Sequence, residues 1–149
     1  MNNYPSWWDQ TTTVFNKYVD PTTQQVNWYA HKVENCFWKF TGDMLSIGQT
    51  TIDTQVVMCR IPKQDDFVER GGWEAMTDEQ KKASFTLGAG DILVLGDATN
   101  EEIDEYTKGK RSTDLLDKYS KLQRCLQVKK FSINVGGGRG NEHYLVRGV

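Results

Sequence analysis

Hydrophobic and polar side chains alternate along much of the chain, and this alternation predicts strands. A β-branched and aromatic run covers 11–19, Asp20-Pro21 follows, and a second extended run covers 25–33. Proline presets the first angle of a turn and aspartate accepts hydrogen bonds from its own backbone. We therefore expect the two runs to form a hairpin. The aromatic run 35–40 is predicted to be a third strand.

Two further strand candidates lie in the middle of the chain. Residues 50–61 are β-prone and end at Pro62, and the apolar run 92–95 is typical of a strand buried on both faces. Between them, 63–83 combines many charges with Gly71-Gly72 and little periodicity. This composition predicts a long loop with a short helical turn near 77–82. Such loops tend to be functional or to order against a partner.

One helix is predicted in the last third of the chain. Ser112 to Asp114 supply capping and first-turn residues. The apolar residues that follow at helical spacing are Leu115, Leu116, Tyr119 and Leu122. Two alternating runs, 125–135 and 142–148, flank a glycine-rich turn and predict a terminal hairpin.

The complete pattern predicts a single, mostly β domain over residues 1–149. We expect a small antiparallel β-barrel or sandwich with one short α-helix and long loops. An N-terminal arm over 1–10 precedes the first strand, and 63–83 is the longest loop.

Composition narrows the function. The formal net charge is −2 and the pI is about 5.7, so no overall charge favours nucleic acid or an anionic membrane. No apolar run is long enough for a spanning helix, and the N-terminus lacks the pattern of a secretory signal, so we expect a cytosolic protein. Cys36, Cys59 and Cys125 are widely spaced within apolar runs, which predicts buried core thiols.

Candidate chemistry is sparse. The glycine-rich 136–140 precedes a strand and lacks the Lys-Ser/Thr of a phosphate loop, so it is predicted to be a hairpin tip. His31 and His143 lie in predicted strands, outside any catalytic motif. The acidic pairs 65–66, 101–102 and 104–105 are typical of a solvated face. We therefore predict no catalytic residue, no cofactor and no metal site. The short basic runs 108–111 and 129–130 would allow at most a weak backbone contact with DNA.

Five tryptophans are many for a chain of this length. Trp28 and Trp38 lie in predicted strands and are expected in the core. Trp7 and Trp8 lie in the polar N-terminal arm, and aromatic side chains are enriched at protein contacts. We expect these two to dock, either against this domain or against a neighbouring subunit.

Several short motifs, taken in order, resemble a known family. They are Asn16-Lys17-Tyr18, Asn35-Cys36-Phe37-Trp38, Cys59-Arg60-Ile61-Pro62, Phe85-Thr86-Leu87-Gly88, Gly90-Asp91-Ile92 and the pairing of 128–134 with 143–148. The order resembles small proteins encoded between the head and tail genes of siphophages and prophages of Gram-positive bacteria. The terminal hairpin is similar to that of head-completion (stopper) proteins.

This resemblance implies a small β-barrel that forms a ring in the head–tail neck of the virion, after synthesis in the bacterial cytoplasm. The ring would lie beneath portal and adaptor, retain packaged DNA and dock the tail. Implied partners are further copies of the chain, portal or adaptor proteins, and a tail terminator or tail tube, with at most non-specific DNA contact and no membrane. The interface candidates are Trp7, Trp8, Asp65, Asp66, Phe67, Arg139 and Arg147.

Two alternatives stay open at this point. The nearer one is a tail terminator or another neck or tail component. The other, from a different class, is a small hydrolase or ligand-binding enzyme, which would need a convergent polar pocket.

Overall fold

A computed structural model describes residues 6–47, 50–104, 109–120, 124–134 and 142–148, with 41–47, 50–56, 120 and 134 described by their backbone alone. The strands are β1 (Gln10–Val19), β2 (Val26–Ile47), β3 (Thr50–Pro62), β4 (Ile92–Leu95), β5 (Cys125–Asn134) and β6 (His143–Gly148). The helices are α1 (Arg70–Glu74), α2 (Asp78–Ala83) and α3 (Ser112–Ser120). The predicted mostly β, antiparallel class is confirmed.

The six strands close into a barrel in the order β1-β2-β3-β6-β5-β4. The predicted hairpins β1–β2 and β5–β6 are both present. Closure comes from β4, which pairs with β1 on one side and with β5 on the other. Of the two architectures that the sequence allowed, the chain adopts the barrel.

β2 bends at one residue and pairs with two different strands. The prediction of a separate third strand over 35–40 is therefore wrong, because these residues belong to β2. The first half of β2 pairs with β1, and from Phe37 onward it pairs with β3. Asn35 has a φ of 62° where the register against β1 shifts. This bulge lets both Val33 and Cys36 join the barrel core, which strict alternation would prevent.

Two apolar clusters lie on opposite faces of the wall formed by β1 and β4. The inner cluster fills the barrel and includes Leu93. The outer cluster includes Ile92 and Val94 and is covered by α3 through Leu115. β4 is therefore buried on both faces, as predicted. The three cysteines are buried, which confirms the prediction that they lie in the core.

The 63–83 segment contains two short helices where a long loop was predicted, so the described chain has three helices instead of one. α2 occupies the predicted helical turn, and Thr77 and Gln80 form a reciprocal capping box at its start. α1 was not predicted because two of its five residues are glycines, which disfavour helix. Its Trp73 is fully buried, and this tertiary contact outweighs the weak propensity.

A buried carboxylate connects α1 to the barrel. Asp91 is fully buried and accepts hydrogen bonds from the Arg70 guanidinium (2.7 Å), the Lys17 backbone amide (2.9 Å) and the Asn16 side-chain amide (3.0 Å). Burial raises the pKa of Asp91 above its usual range, although these donors lower it. The hydrogen bonds hold α1 against the end of the barrel.

A buried ammonium connects α2 to the same end. Lys81 is 3% exposed, and its Nζ lies 3.6 Å from the ring centroid of Tyr18 and within 6 Å of those of Tyr29 and Trp73. These are cation–π distances. The Tyr29 hydroxyl also donates to Asp78 (2.7 Å). Burial and then the Asp78 carboxylate raise the pKa of Tyr29 well above its usual range.

Candidate interaction surfaces

A row of cations crosses the outer face of four neighbouring strands. Strand register places Lys39 opposite Met58, Met58 opposite Arg147, and Arg147 opposite Lys130. All three cationic side chains are exposed. Like charges directly opposite one another on a sheet destabilise it. The row is therefore held together at some electrostatic cost to the isolated chain.

A second row runs beside the first, and two of its four residues are apolar. It consists of Phe37, Arg60, Leu145 and Ser132, each opposite the next across β2, β3, β6 and β5. Leu145 is 8% exposed although its neighbours in sequence point into the barrel. We call the two rows together the basic face, whose cations are Lys39, Arg60, Lys130 and Arg147.

The N-terminal arm borders this face. Trp7 is 56% exposed and packs edge-on against Phe37, with ring centroids 4.8 Å apart. Trp8 is buried, stacks on Phe37 and meets the His143 ring edge-on at 5.4 Å. The described part of the predicted arm thus docks on its own barrel, and Gln10 already belongs to β1. Trp7 remains as an exposed aromatic ring beside the basic face.

An acidic cleft lies elsewhere on the surface, along the outer side of β1 and the first half of β2. It encloses about 590 Å³ between α2 and the loop that follows β4. Among the described residues that line it, the carboxylates are Asp78, Glu101, Glu102 and Asp104, and Lys82 supplies an ammonium. Its apolar floor includes Phe15, Trp28 and Ile103. We call this surface the acidic cleft.

Two details define the chemistry of the acidic cleft. A hydrogen bond from the Lys118 ammonium lowers the pKa of Glu101, so this carboxylate is ionised at neutral pH. The Trp28 indole nitrogen is buried and has no hydrogen-bond partner within the described chain. A buried donor without a partner costs free energy, but this nitrogen is enclosed and does not face the open side of the cleft. The carboxylates of the cleft suit a partner that brings cations.

Comparison with known proteins gives a family and no activity. A model of a family of unknown function, DUF6751, matches residues 7–149. The chain belongs to DUF6751. No curated protein and no solved structure matches it. The match spans all six strands of the DUF6751 barrel, and so includes both charged surfaces.

The predicted interface residues of this DUF6751 chain lie in different environments. Asp65 is exposed, but Asp66 pairs with His31 at 2.6 Å. Phe67 stacks on Tyr144 with ring centroids 4.2 Å apart and packs against the barrel core. Arg147 lies in the basic face, as described, whereas Arg139 is outside the described residues. Of the three interface candidates in this loop, Asp65 is the one whose side chain is exposed.

The two histidines are half-buried strand residues, as predicted. His31 on β2 stacks on Phe85, with ring centroids 5.4 Å apart, and contacts Asp66. His143 on β6 contacts the Arg60 guanidinium at 3.0 Å. Among the described residues, no three His, Cys, Asp or Glu side chains are grouped as metal ligands. In the same part of the chain, no helix is both long and apolar enough to cross a membrane.

Sequence reasoning missed most of the basic face of the DUF6751 barrel. Lys39, Arg60 and Lys130 each lie at an outward position of a strand, but they are far apart along the chain. Each strand shows the alternation that places its own cation outside. The β5–β6 hairpin places Lys130 opposite Arg147, and the β2–β3 pair carries Lys39 and Arg60. The two halves meet through the pairing of β3 with β6, which is not local.

Proposed function

We propose that this DUF6751 protein is a structural subunit of a tailed-phage neck, forming a ring between portal or adaptor and tail. The ring would close the DNA-filled head and offer the surface on which the tail docks. The ordered series of motifs that resembles stopper proteins supports this proposal, as does the β-barrel that this resemblance implies.

The basic face is the single observation that carries the proposal. Arg147 and Lys130 lie directly opposite each other on adjacent strands, and Trp7 exposes its ring beside them. Aromatic residues and arginine are enriched at protein contact surfaces. A partner that covers this face would relieve the repulsion and bury the ring.

The barrel suits a subunit whose task is geometric. Its strands form a closed ring of backbone hydrogen bonds, and α1 and α2 are fixed to one end through Asp91 and Lys81. A rigid subunit sets a fixed angle to its neighbour, and one repeated contact at a fixed angle closes a ring. Such a ring would be stabilised further by its neighbours in the particle.

Cryo-electron microscopy of intact particles of the phage that encodes the chain tests this proposal. We expect density for the barrel as a ring between portal and tail. A ring that caps the tail tube at its head-proximal end would favour the tail-terminator alternative. Complete absence of the chain from the virion would refute a structural role in the particle.

Trp7→Ala tests whether the N-terminal arm contributes to assembly of the ring. The change removes the exposed ring and leaves Trp8, which packs on its own barrel, in place. We expect fewer particles with the chain in the neck, with the purified variant folded as the unchanged protein is. Normal incorporation of the variant would remove Trp7 from the contact surface.

A further inference from the structure

We infer that the basic face of one copy docks in the acidic cleft of the next copy, so that the same contact repeats around the ring. The inference rests on the proposed function and names its partner, a second copy of this chain. Charge complementarity between the two surfaces carries it.

The two surfaces match in chemistry. The basic face presents four cations around the apolar Phe37, Met58 and Leu145. The acidic cleft has four carboxylates around an apolar floor, of which Glu101 is already paired with Lys118 and Asp78 accepts from the Tyr29 hydroxyl. An apolar centre within a charged rim is the usual anatomy of a protein interface. Opposite charges at the rim guide association and fix its register.

The basic face also carries a repulsion that the described chain does not relieve. Arg147 faces Lys130 across the sheet, and a carboxylate between neighbouring cations would turn repulsion into attraction. A second copy would supply such carboxylates from the rim of its acidic cleft, where Glu102 is exposed.

The position of the two surfaces fits a repeating contact. The acidic cleft lies on β1 and the first half of β2, whereas the basic face is centred on β3 and β6. In the ring of strands, β6 is three strands from β1 in either direction. Two different patches that face different directions make a heterologous contact, and such a contact generates a ring when its rotation closes.

Charge reversal on each side tests the contact. Purified Glu102→Lys and Arg147→Glu variants are compared with the unchanged protein by sedimentation velocity over a concentration series. Both side chains are exposed, so the fold should tolerate the changes. We expect each single change to weaken self-association about tenfold or more. The double variant should recover self-association, because the lysine introduced in the cleft of one copy then meets the glutamate introduced in the basic face of the next.

Matched controls separate the contact from overall charge. Glu79→Lys changes an exposed residue of α2 that does not line the cleft, and Arg124→Glu changes an exposed arginine outside the basic face. These variants should associate as the unchanged protein does. Raising the salt from about 50 mM to about 500 mM should weaken the association, since screening shortens the range of surface charges.

A cysteine pair gives a second, independent measurement. A chain carrying both Glu102→Cys and Arg147→Cys should form a ladder of covalent oligomers under mild oxidation, and each single cysteine variant should stop at dimers. The native cysteines are buried in the described fold and should not contribute. Absence of the ladder in a self-associating sample would overturn the pairing of these two surfaces.

The outcomes distinguish this inference from the proposed function. If the unchanged protein self-associates and the single reversals have no effect, the docking surfaces are wrong, while the location in the virion still decides the function. A protein that stays monomeric at every concentration also overturns the inference. If Arg147→Glu abolishes binding to duplex DNA and leaves self-association intact, the basic face contacts DNA instead.

Discussion

The burial of Trp73 gives the sharpest test of the fold, because Trp73 lies in the segment 63–83, for which the sequence predicts a long loop. Trp73 is fully buried in a five-residue helix that has little intrinsic stability. Its ring meets Tyr29 edge-on at 5.6 Å and Tyr18 at 6.2 Å. If these contacts hold α1 and α2 on the barrel, Trp73→Ala must destabilise the whole domain.

The expected loss follows from the contacts. Removal of a buried tryptophan side chain costs about 3–5 kcal/mol, which includes aromatic pairs worth about 0.5–1.5 kcal/mol each. The Trp73 indole nitrogen has no hydrogen-bond partner in the described chain, so part of its burial is unfavourable. We therefore expect about 3 kcal/mol for Trp73→Ala. Trp73→Phe keeps most of the packing, removes the unpaired donor, and should cost about 1 kcal/mol.

Urea unfolding followed by far-ultraviolet circular dichroism measures these changes. With a slope of about 2 kcal/mol per molar urea, Trp73→Ala should lower the midpoint by about 1.5 M. Trp7→Ala is the matched control, since Trp7 is 56% exposed and should shift the midpoint by less than about 0.5 M. Equal shifts for the two tryptophans would refute the packing of α1 on the barrel.

Two further predictions concern single positions. A Cβ at Gly148 would lie 2.0 Å from the backbone oxygen of Gln127, so Gly148→Ala should lower the melting temperature by about 5–10 °C. Gly71→Ala is the control: a Cβ at Gly71 would meet open space, so this change should leave the melting temperature unchanged or raise it. A larger loss of melting temperature for Gly71→Ala than for Gly148→Ala would contradict the close approach of Gly148 to Gln127. The raised pKa of Tyr29 means that the folded protein keeps a proton that the unfolded chain releases above a pH of about 10, so stability should fall there as pH rises. Tyr29→Phe should reduce that fall in urea midpoints between about pH 9 and about pH 11, and identical slopes for both proteins would show that Tyr29 does not contribute.

The elements that the sequence predicted well are those whose pattern is local. The β5–β6 hairpin and β4 follow directly from alternation and from a short apolar run, because both describe the strand's own two faces. α3 begins at the predicted cap, Ser112. In these places, propensity and tertiary structure favour the same conformation.

The elements that the sequence predicted poorly depend on distant contacts. α1 carries two glycines, and only the burial of Trp73 in a pocket formed by other segments makes it helical. The division of β2 between two neighbours depends on the backbone of Asn35, which alternation alone does not reveal. Asparagine adopts positive φ more readily than most residues, so its identity was the one local signal.

The sequence predicts individual charged residues of the acidic cleft and the basic face, but not how they are grouped on the surface. The acidic pairs 101–102 and 104–105 predict a solvated face, which accounts for their polarity but not for the apolar floor beside Glu101, Glu102 and Asp104. Arg147 is an interface candidate from the sequence and Lys130 belongs to the short basic run 129–130, but the sequence does not single out Lys39, which joins them only through the pairing of β3 with β6. Register across non-neighbouring strands is the information that a single sequence lacks.

The cross-strand rows of the basic face have a consequence for quality control during assembly. Lys39, Met58, Arg147 and Lys130 come from four strands, one from each. The complete row therefore exists only when β3 has paired with β6 in the correct register. A copy in which these two strands have not joined cannot present it. Any partner that binds across these rows therefore selects folded subunits over unfolded ones.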